Sequence, residues 1–109
     1  MNSQTADLDT EVRRLRVRII GLTSAQLAEA GEGSTTSRRD SIAAALAEFS
    51  AIGSNGRAVP DLGDQSLADQ VVVLIETGRR RAEMLDSASR EQVLGRLLDA
   101  AVDLRRRLA

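Results

Sequence analysis

Apolar residues recur at helical spacing near both ends of the chain. The first series follows intervals of four and three residues, which places it on one helix face as a heptad-like seam. It consists of Leu8, Val12, Leu15, Ile19 and Leu22. The second series has the same character and consists of Leu94, Leu97, Ala101, Leu104 and Leu108. Both series predict amphipathic helices with a regular apolar stripe.

The densest apolar run, Val71 to Ile75, lies within residues 67–85. A run of residues that favour strands also fits a buried strand, so the run alone leaves both structures open. A helix is the favoured interpretation, because apolar residues repeat every 3.6 positions across the whole stretch and its flanks are good helix formers. Apolar side chains nearly all round residues 71–75 then predict contacts on several sides of this central helix.

Capping residues divide the rest of the chain into helices. Ser37 is expected to cap a helix that runs to Ile52, with Gly53 as its terminator. Ser66 and Ser89 are the expected caps of the central and the last helix. The connection between these last two helices is short, which makes them antiparallel neighbours.

The pattern as a whole predicts an all-α protein, a compact four-helix bundle or a five-helix bundle. Residues 1–109 form one domain at this length. Residues 1–4 are expected to be a disordered start. Residues 53–66 are expected to form an irregular connection across one end of the bundle, with Val59 and Leu62 tucked in.

Gly21 decides whether the first helix is continuous. A bundle favours one helix from about Asp7 to Ala30, in which a glycine costs roughly 1 kcal/mol relative to alanine. Alternatively the helix ends at Gly21 and a short one follows, because Thr23 and Gln26 have the spacing of a capping box.

Composition narrows the possible functions. The chain has 109 residues, a formal net charge of −1 and 15 basic residues that are all arginine. We attribute the absence of lysine to a GC-rich bacterial coding bias. No segment is apolar enough to span a membrane, and the polar, acidic N-terminus does not resemble a secretory signal. The cytoplasm is therefore the expected compartment.

The sequence contains no His, Cys, Lys or Tyr, so most general bases and nucleophiles are missing and an enzyme is not expected. Only carboxylates could bind a metal. The pairs Glu29 with Glu32 and Glu83 with Asp86 resemble the magnesium-binding motifs of MazG-type nucleotide pyrophosphohydrolases. We interpret them as solvated surface carboxylates, and we expect no metal and no cofactor.

The segment LTSAQLAEAGEGS, residues 22–34, resembles the first half of a helix-turn-helix, in which an LTxxxLAE stretch leads into a glycine turn. The resemblance implies a DNA-binding transcriptional regulator with residues 22–52 as the reading unit and a break at Gly21. Arg38 and Arg39 would then contact nucleic acid, with Arg57 in a wing. Nucleic acid is not the favoured partner, because the net charge of −1 supplies no general attraction to phosphates.

The leading hypothesis is a non-enzymatic helical interaction protein that acts through homo-oligomerisation or partner docking. A homodimer is expected, because a small bundle gains core by pairing. The expected interface is the first seam: Leu8, Val12, Leu15, Ile19 and Leu22. The alternative is that both seams are used inside one chain.

Overall fold

The computed structural model describes residues 3–109, and within that range it is an all-α bundle with no β-strand. It has five α-helices and one 3₁₀ turn, Asp64–Ser66. The helices are α1 Ser3–Ile20, α2 Ser24–Ala28, α3 Arg38–Gly53, α4 Leu67–Glu83 and α5 Ser87–Arg107. The predicted fold class is confirmed. None of the helices within the described range is both long and apolar enough to cross a bilayer.

The predicted disordered start at residues 1–4 is corrected in part. Residues 1 and 2 lie outside the described residues, while Ser3 and Gln4 already belong to α1. The helix begins early because its first turn packs against α5. A Cβ atom added at Gly95 would lie 3.1 Å from the Gln4 side-chain nitrogen.

The continuous first helix favoured for a bundle is wrong, because α1 ends at Ile20 and α2 begins at Ser24. The predicted capping box is confirmed: the Gln26 N–H donates to the Thr23 hydroxyl at 3.1 Å, and the Thr23 N–H donates to the Gln26 side chain at 2.9 Å. A straight helix would carry Leu27 away from the apolar seam of α1. The break returns Leu27 to the core.

Two of the three predicted helix caps need correction. Ser37 caps α3 as predicted, since its hydroxyl accepts from the Asp40 N–H at 3.1 Å. Ser66 occupies the cap position of α4 without a side-chain bond, because the 3₁₀ turn leads directly into the helix. Asp86, not Ser89, caps α5. The Ser89 N–H donates to the Asp86 carboxylate at 2.8 Å, and this bond holds the pKa of Asp86 below its ordinary value.

The core is aliphatic around one aromatic ring, Phe49, which is fully buried. α1 and α5 run side by side in the same direction, with Glu11 of α1 bonded to Arg105 and Arg18 bonded to the Leu108 carbonyl. The short connection after α4 makes α4 and α5 antiparallel, as predicted. Both seams are buried along their whole length.

α3 and α4 cross at two glycines. A Cβ at Gly53 would overlap the Cα of Gly78, so the helices approach more closely than any side chain allows. Gly53 was expected to end α3 through backbone freedom, but its role is this close contact. The positive φ angles that turn the chain fall later, at Asn55 (56°) and Gly56 (71°).

Candidate docking groove

The five residues expected at an interface lie in the core of the single chain. Their exposed fractions run from 0% to 9%, for Leu8, Val12, Leu15, Ile19 and Leu22. They are buried because α1 packs against both α4 and α5 through this face. The arrangement follows the alternative in which both seams are used inside one chain. These five side chains are therefore not accessible to a second chain in this fold.

An apolar groove of about 480 Å³ runs between the C-terminal end of α3, the connection after it and the N-terminal half of α4. This volume lies within the usual range of ligand pockets. Its apolar lining consists of Ala58, Val59, Pro60, Leu62, Val73 and Leu74. A second concavity within residues 3–109 is larger, at about 650 Å³, but charged side chains dominate its lining.

The valine-rich run of α4 supplies one wall of the groove. The run is helical, so the favoured interpretation is confirmed and the strand alternative is wrong. Val71 and Ile75 are fully buried, but Val73 is 59% exposed. The expectation of contacts on several sides is confirmed, because α1, α3 and α5 all pack against α4, and only the side that carries Val73 is left uncovered. The sequence signal was present, as a helix more apolar than one buried face requires.

The opposite wall is held by hydrogen bonds to α3 and α4. The Ser50 hydroxyl donates to the Arg57 carbonyl at 2.6 Å, and the Gln70 side chain donates to the Pro60 carbonyl at 2.9 Å. Val59 is partly buried as predicted, but Leu62 is 59% exposed and the prediction that it tucks in is wrong. Hydrogen bonds on both sides therefore hold this wall in place within the single chain.

An ion pair anchors the end of this wall. The Arg39 guanidinium donates two bonds of 2.8 Å to the Asp64 carboxylate. These bonds lower the pKa of Asp64 and raise the pKa of Arg39 from their ordinary values. The pair is therefore charged at neutral pH and ties the start of α4 to α3.

The polar groups of the groove are few. The Thr77 hydroxyl donates to the Val73 carbonyl at 2.8 Å and is thereby used within α4. The Ser54 hydroxyl oxygen is buried and has no hydrogen-bond partner in the described part of the chain. Arg57 and Asp69 line the rim. The groove thus presents an apolar floor with a thin polar edge.

The outer side of α4 continues beyond the groove towards a cationic end. Arg80 and Arg81 are exposed, and Met84 just past the helix is 87% exposed. Arg79 differs from its neighbours, because it bonds Asp9 at 3.1 Å and Glu76 at 2.7 Å. These bonds, the one from Glu76 above all, raise the pKa of Arg79.

Two of the three residues expected to contact nucleic acid are already bonded within the chain. Arg38 donates to the carbonyls of Leu108 and Gln26, and Arg39 is paired with Asp64. Arg57 alone of the three forms no side-chain hydrogen bond or ion pair within residues 3–109. The outer face of α3 carries Asp40, Ala43, Ala44, Ala47, Glu48 and Ala51, which are all exposed. The break at Gly21 and the helix that follows Ser37 agree with a helix-turn-helix.

The carboxylate pairs also stay apart. Asp86 serves as the cap of α5, and Glu29 and Glu32 lie around the end of α2. Within the described residues, no group of three acidic side chains lies close enough to hold a metal ion. A second cleft, of about 650 Å³, lies between α1 and α5 and mixes both charges, from Asp7, Glu11, Arg14, Asp99, Asp103 and Arg106.

The polar side chains that line the groove include the Ser54 hydroxyl and the Asp69 carboxylate. Comparison of the chain with family models, with curated proteins and with solved structures finds no match.

Proposed function

We propose that the chain is a non-enzymatic helical interaction protein that docks a protein partner, either a second copy or a different chain, in the groove beside α4. One observation carries the proposal. Leu62 and Val73 face solvent from opposite walls of a groove that hydrogen bonds already hold in shape, and each is 59% exposed.

The apolar side chains that remain exposed beside α4 form a patch, and this supports docking. Single exposed apolar residues are normal on a protein surface, whereas contiguous apolar patches mark interaction sites. Here Leu62, Val73 and the partly buried Leu74 line one concavity. Covering them removes apolar area from water, and each Å² contributes roughly 25 cal/mol before the costs of association.

The dimensions of the groove suit an amphipathic helix. Its α4 wall extends from Ser66 to Thr77, which is about 18 Å of helix. A partner helix of about three turns matches this length and would place apolar residues at intervals of three and four on the groove floor. The pinned wall lowers the cost of binding, because little of it has to be ordered when a partner arrives.

Photo-crosslinking in the source cells tests the proposal. A photoreactive amino acid replaces Leu62 in the groove, or Val17 as the control, which is 70% exposed on the outer side of α1. We expect discrete adducts from position 62 and none of them from position 17. The adduct is identified by mass spectrometry, and binding is then measured with the two purified components and the Val73→Asp variant. No adduct from position 62, or the same adducts from both positions, would overturn the proposal.

DNA binding is the second candidate, and the break at Gly21 is what favours it. We do not adopt it, because Arg38 and Arg39 are bonded within the chain and the outer face of α3 carries only alanine and acidic side chains. Anisotropy of a labelled DNA duplex at about 50 mM salt, where phosphate contacts are strong, should show no binding. Binding that weakens steeply with salt and is lost in Arg57→Ala would reinstate it.

A further inference from the structure

The outer side of α4 carries opposite charges at its two ends. Asp69 is exposed in the first turn, and Arg80 and Arg81 are exposed in the last turn. None of the three forms an ion pair within residues 3–109. Between them lie the exposed side chains of Val73 and Thr77. When two copies of such a face are set antiparallel, the acidic end of each meets the basic end of the other.

We propose that this face pairs with the same face of a second copy of the chain, with the two α4 helices antiparallel across a two-fold axis. The inference rests on the proposed docking function and names its partner. In a two-fold interface every contact occurs twice. An axis near residues 74 and 75 sets Asp69 of each copy opposite Arg80 of the other.

The positions on the helix make this pairing specific. Asp69 and Arg80 are eleven residues apart, about three turns, so both lie on the same flank of the outer stripe. Gln70 and Arg81 have the same separation and share the other flank. In an antiparallel two-fold pair each flank faces its own counterpart, so the acid meets the arginine. A parallel two-fold pair would instead set each flank against the other flank, so Asp69 would meet Gln70 and Arg80 would meet Arg81.

Pairing would also cover the exposed apolar side chains. Leu62 and Val73 flank the groove at the N-terminal half of α4, while Met84 extends the stripe past its C-terminal end. Reversal places Met84 of one copy over the start of the other copy's α4, beside its groove. The net charge of −1 adds little repulsion between the copies.

Sedimentation velocity of the full chain measures the pairing. Interference optics are needed, because the protein has neither Trp nor Tyr. We expect a concentration-dependent dimer whose dissociation constant rises with salt, since exposed charges are screened over about 10 Å at 0.1 M ionic strength. Asp69→Arg and Arg80→Asp should each raise that constant by more than about tenfold, since each sets like charges together twice.

Exchanging the charges at positions 69 and 80 distinguishes this geometry from that of other dimers. A mixture of the Asp69→Arg and Arg80→Asp proteins should form a one-to-one heterodimer, because both positions then pair opposite charges, one pair with its original signs and the other with its signs reversed. The double variant Asp69→Arg/Arg80→Asp should dimerise with itself. Val17→Asp, on the far side of α1, should dimerise as the unaltered protein does. Circular dichroism checks that each variant keeps its helix content.

A chain that stays monomeric, or a dimer that the swap fails to restore, would overturn the self-pairing. These outcomes differ from failure of the proposed function. A monomeric chain whose position 62 crosslinks to a different protein keeps docking and loses self-pairing. A chain that neither dimerises nor crosslinks through the groove loses both.

Discussion

The two long sides of the bundle use similar apolar sequences in opposite ways. On the α1–α5 side, both heptad seams are buried, and Glu11 pairs with Arg105 at 2.7 Å beside the charged cleft. On the outer side of α4, Val73 and Leu62 remain exposed over a groove. The regular seams look more like interface sequences, yet they form the core of one chain.

The difference shows which apolar sequences the bundle covers and which it leaves exposed. A seam that is one stripe wide can be covered completely inside the bundle, as the first seam is by α4 and α5. The run Val71 to Ile75 is wider than one stripe, and only its inner side finds neighbours in the chain. An apolar run that is wider than one stripe therefore indicates an uncovered helix face better than a regular seam does.

The largest expected loss of stability comes from placing a carboxylate in the first seam, with the same change on the outer side of α4 as the comparison. Leu15→Asp buries a carboxylate at a position with no exposure and should cost about 3–5 kcal/mol, most of the stability of a small domain. Val73→Asp should change the free energy of unfolding by less than about 0.5 kcal/mol at low protein concentration. Chemical denaturation followed by circular dichroism measures both. A folded Leu15→Asp monomer would return the first seam to the surface.

The close crossing that shapes the groove should be almost as sensitive. Gly53→Ala places a methyl group into the Gly78 backbone and forces α3 from α4, at a cost of about 1–3 kcal/mol. Gly21→Ala is the control, because its Cβ would make an ordinary contact of 3.4 Å and the site is exposed. It should change the unfolding free energy by less than about 1 kcal/mol. Equal losses in the two variants would contradict the close packing.

Much of the secondary structure could be predicted from the sequence, because caps and periodicity are local. Ser37, the capping box at Thr23 and the helix through Val73 all follow from neighbours within a few residues. The use of the seams and the exposure of Val73 could not be predicted, because they depend on which elements cover each side. The engagement of Arg38 likewise depends on a carbonyl 70 residues away.

The ion pair between α1 and α5 can be tested by comparing two arginines in the same turn of α5. Arg105→Ala leaves the buried carboxylate of Glu11 without its 2.7 Å partner and should cost about 1–3 kcal/mol. Arg107→Ala, in the same turn of α5, removes an exposed pair with Asp103 and should cost about 0–1 kcal/mol. Thermal and urea unfolding of the two variants compare them directly. Similar losses of stability would mean that the pair between Glu11 and Arg105 contributes no more than an exposed ion pair does.

The smallest effect is expected at the ion pair that anchors the groove wall, and it should appear only through pH. The bonds from Arg39 lower the pKa of Asp64 in the folded chain. Its contribution to stability is therefore complete above the unfolded pKa, about 3.9, and is lost as the pH falls through the lower folded value. Asp64→Asn removes that contribution at every pH.

The curve of stability against pH should therefore be slightly flatter below about pH 4 for Asp64→Asn than for the unaltered protein. Asp86→Asn is the control on another element, because Asp86 also has a lowered pKa but caps α5 far from the groove wall. Both variants should flatten the acid limb, but only Asp64→Asn should speed amide exchange in residues 57–63. If exchange there is unchanged, Asp64 does not hold the wall, and the bonds from Ser50 and Gln70 are sufficient to fix the groove.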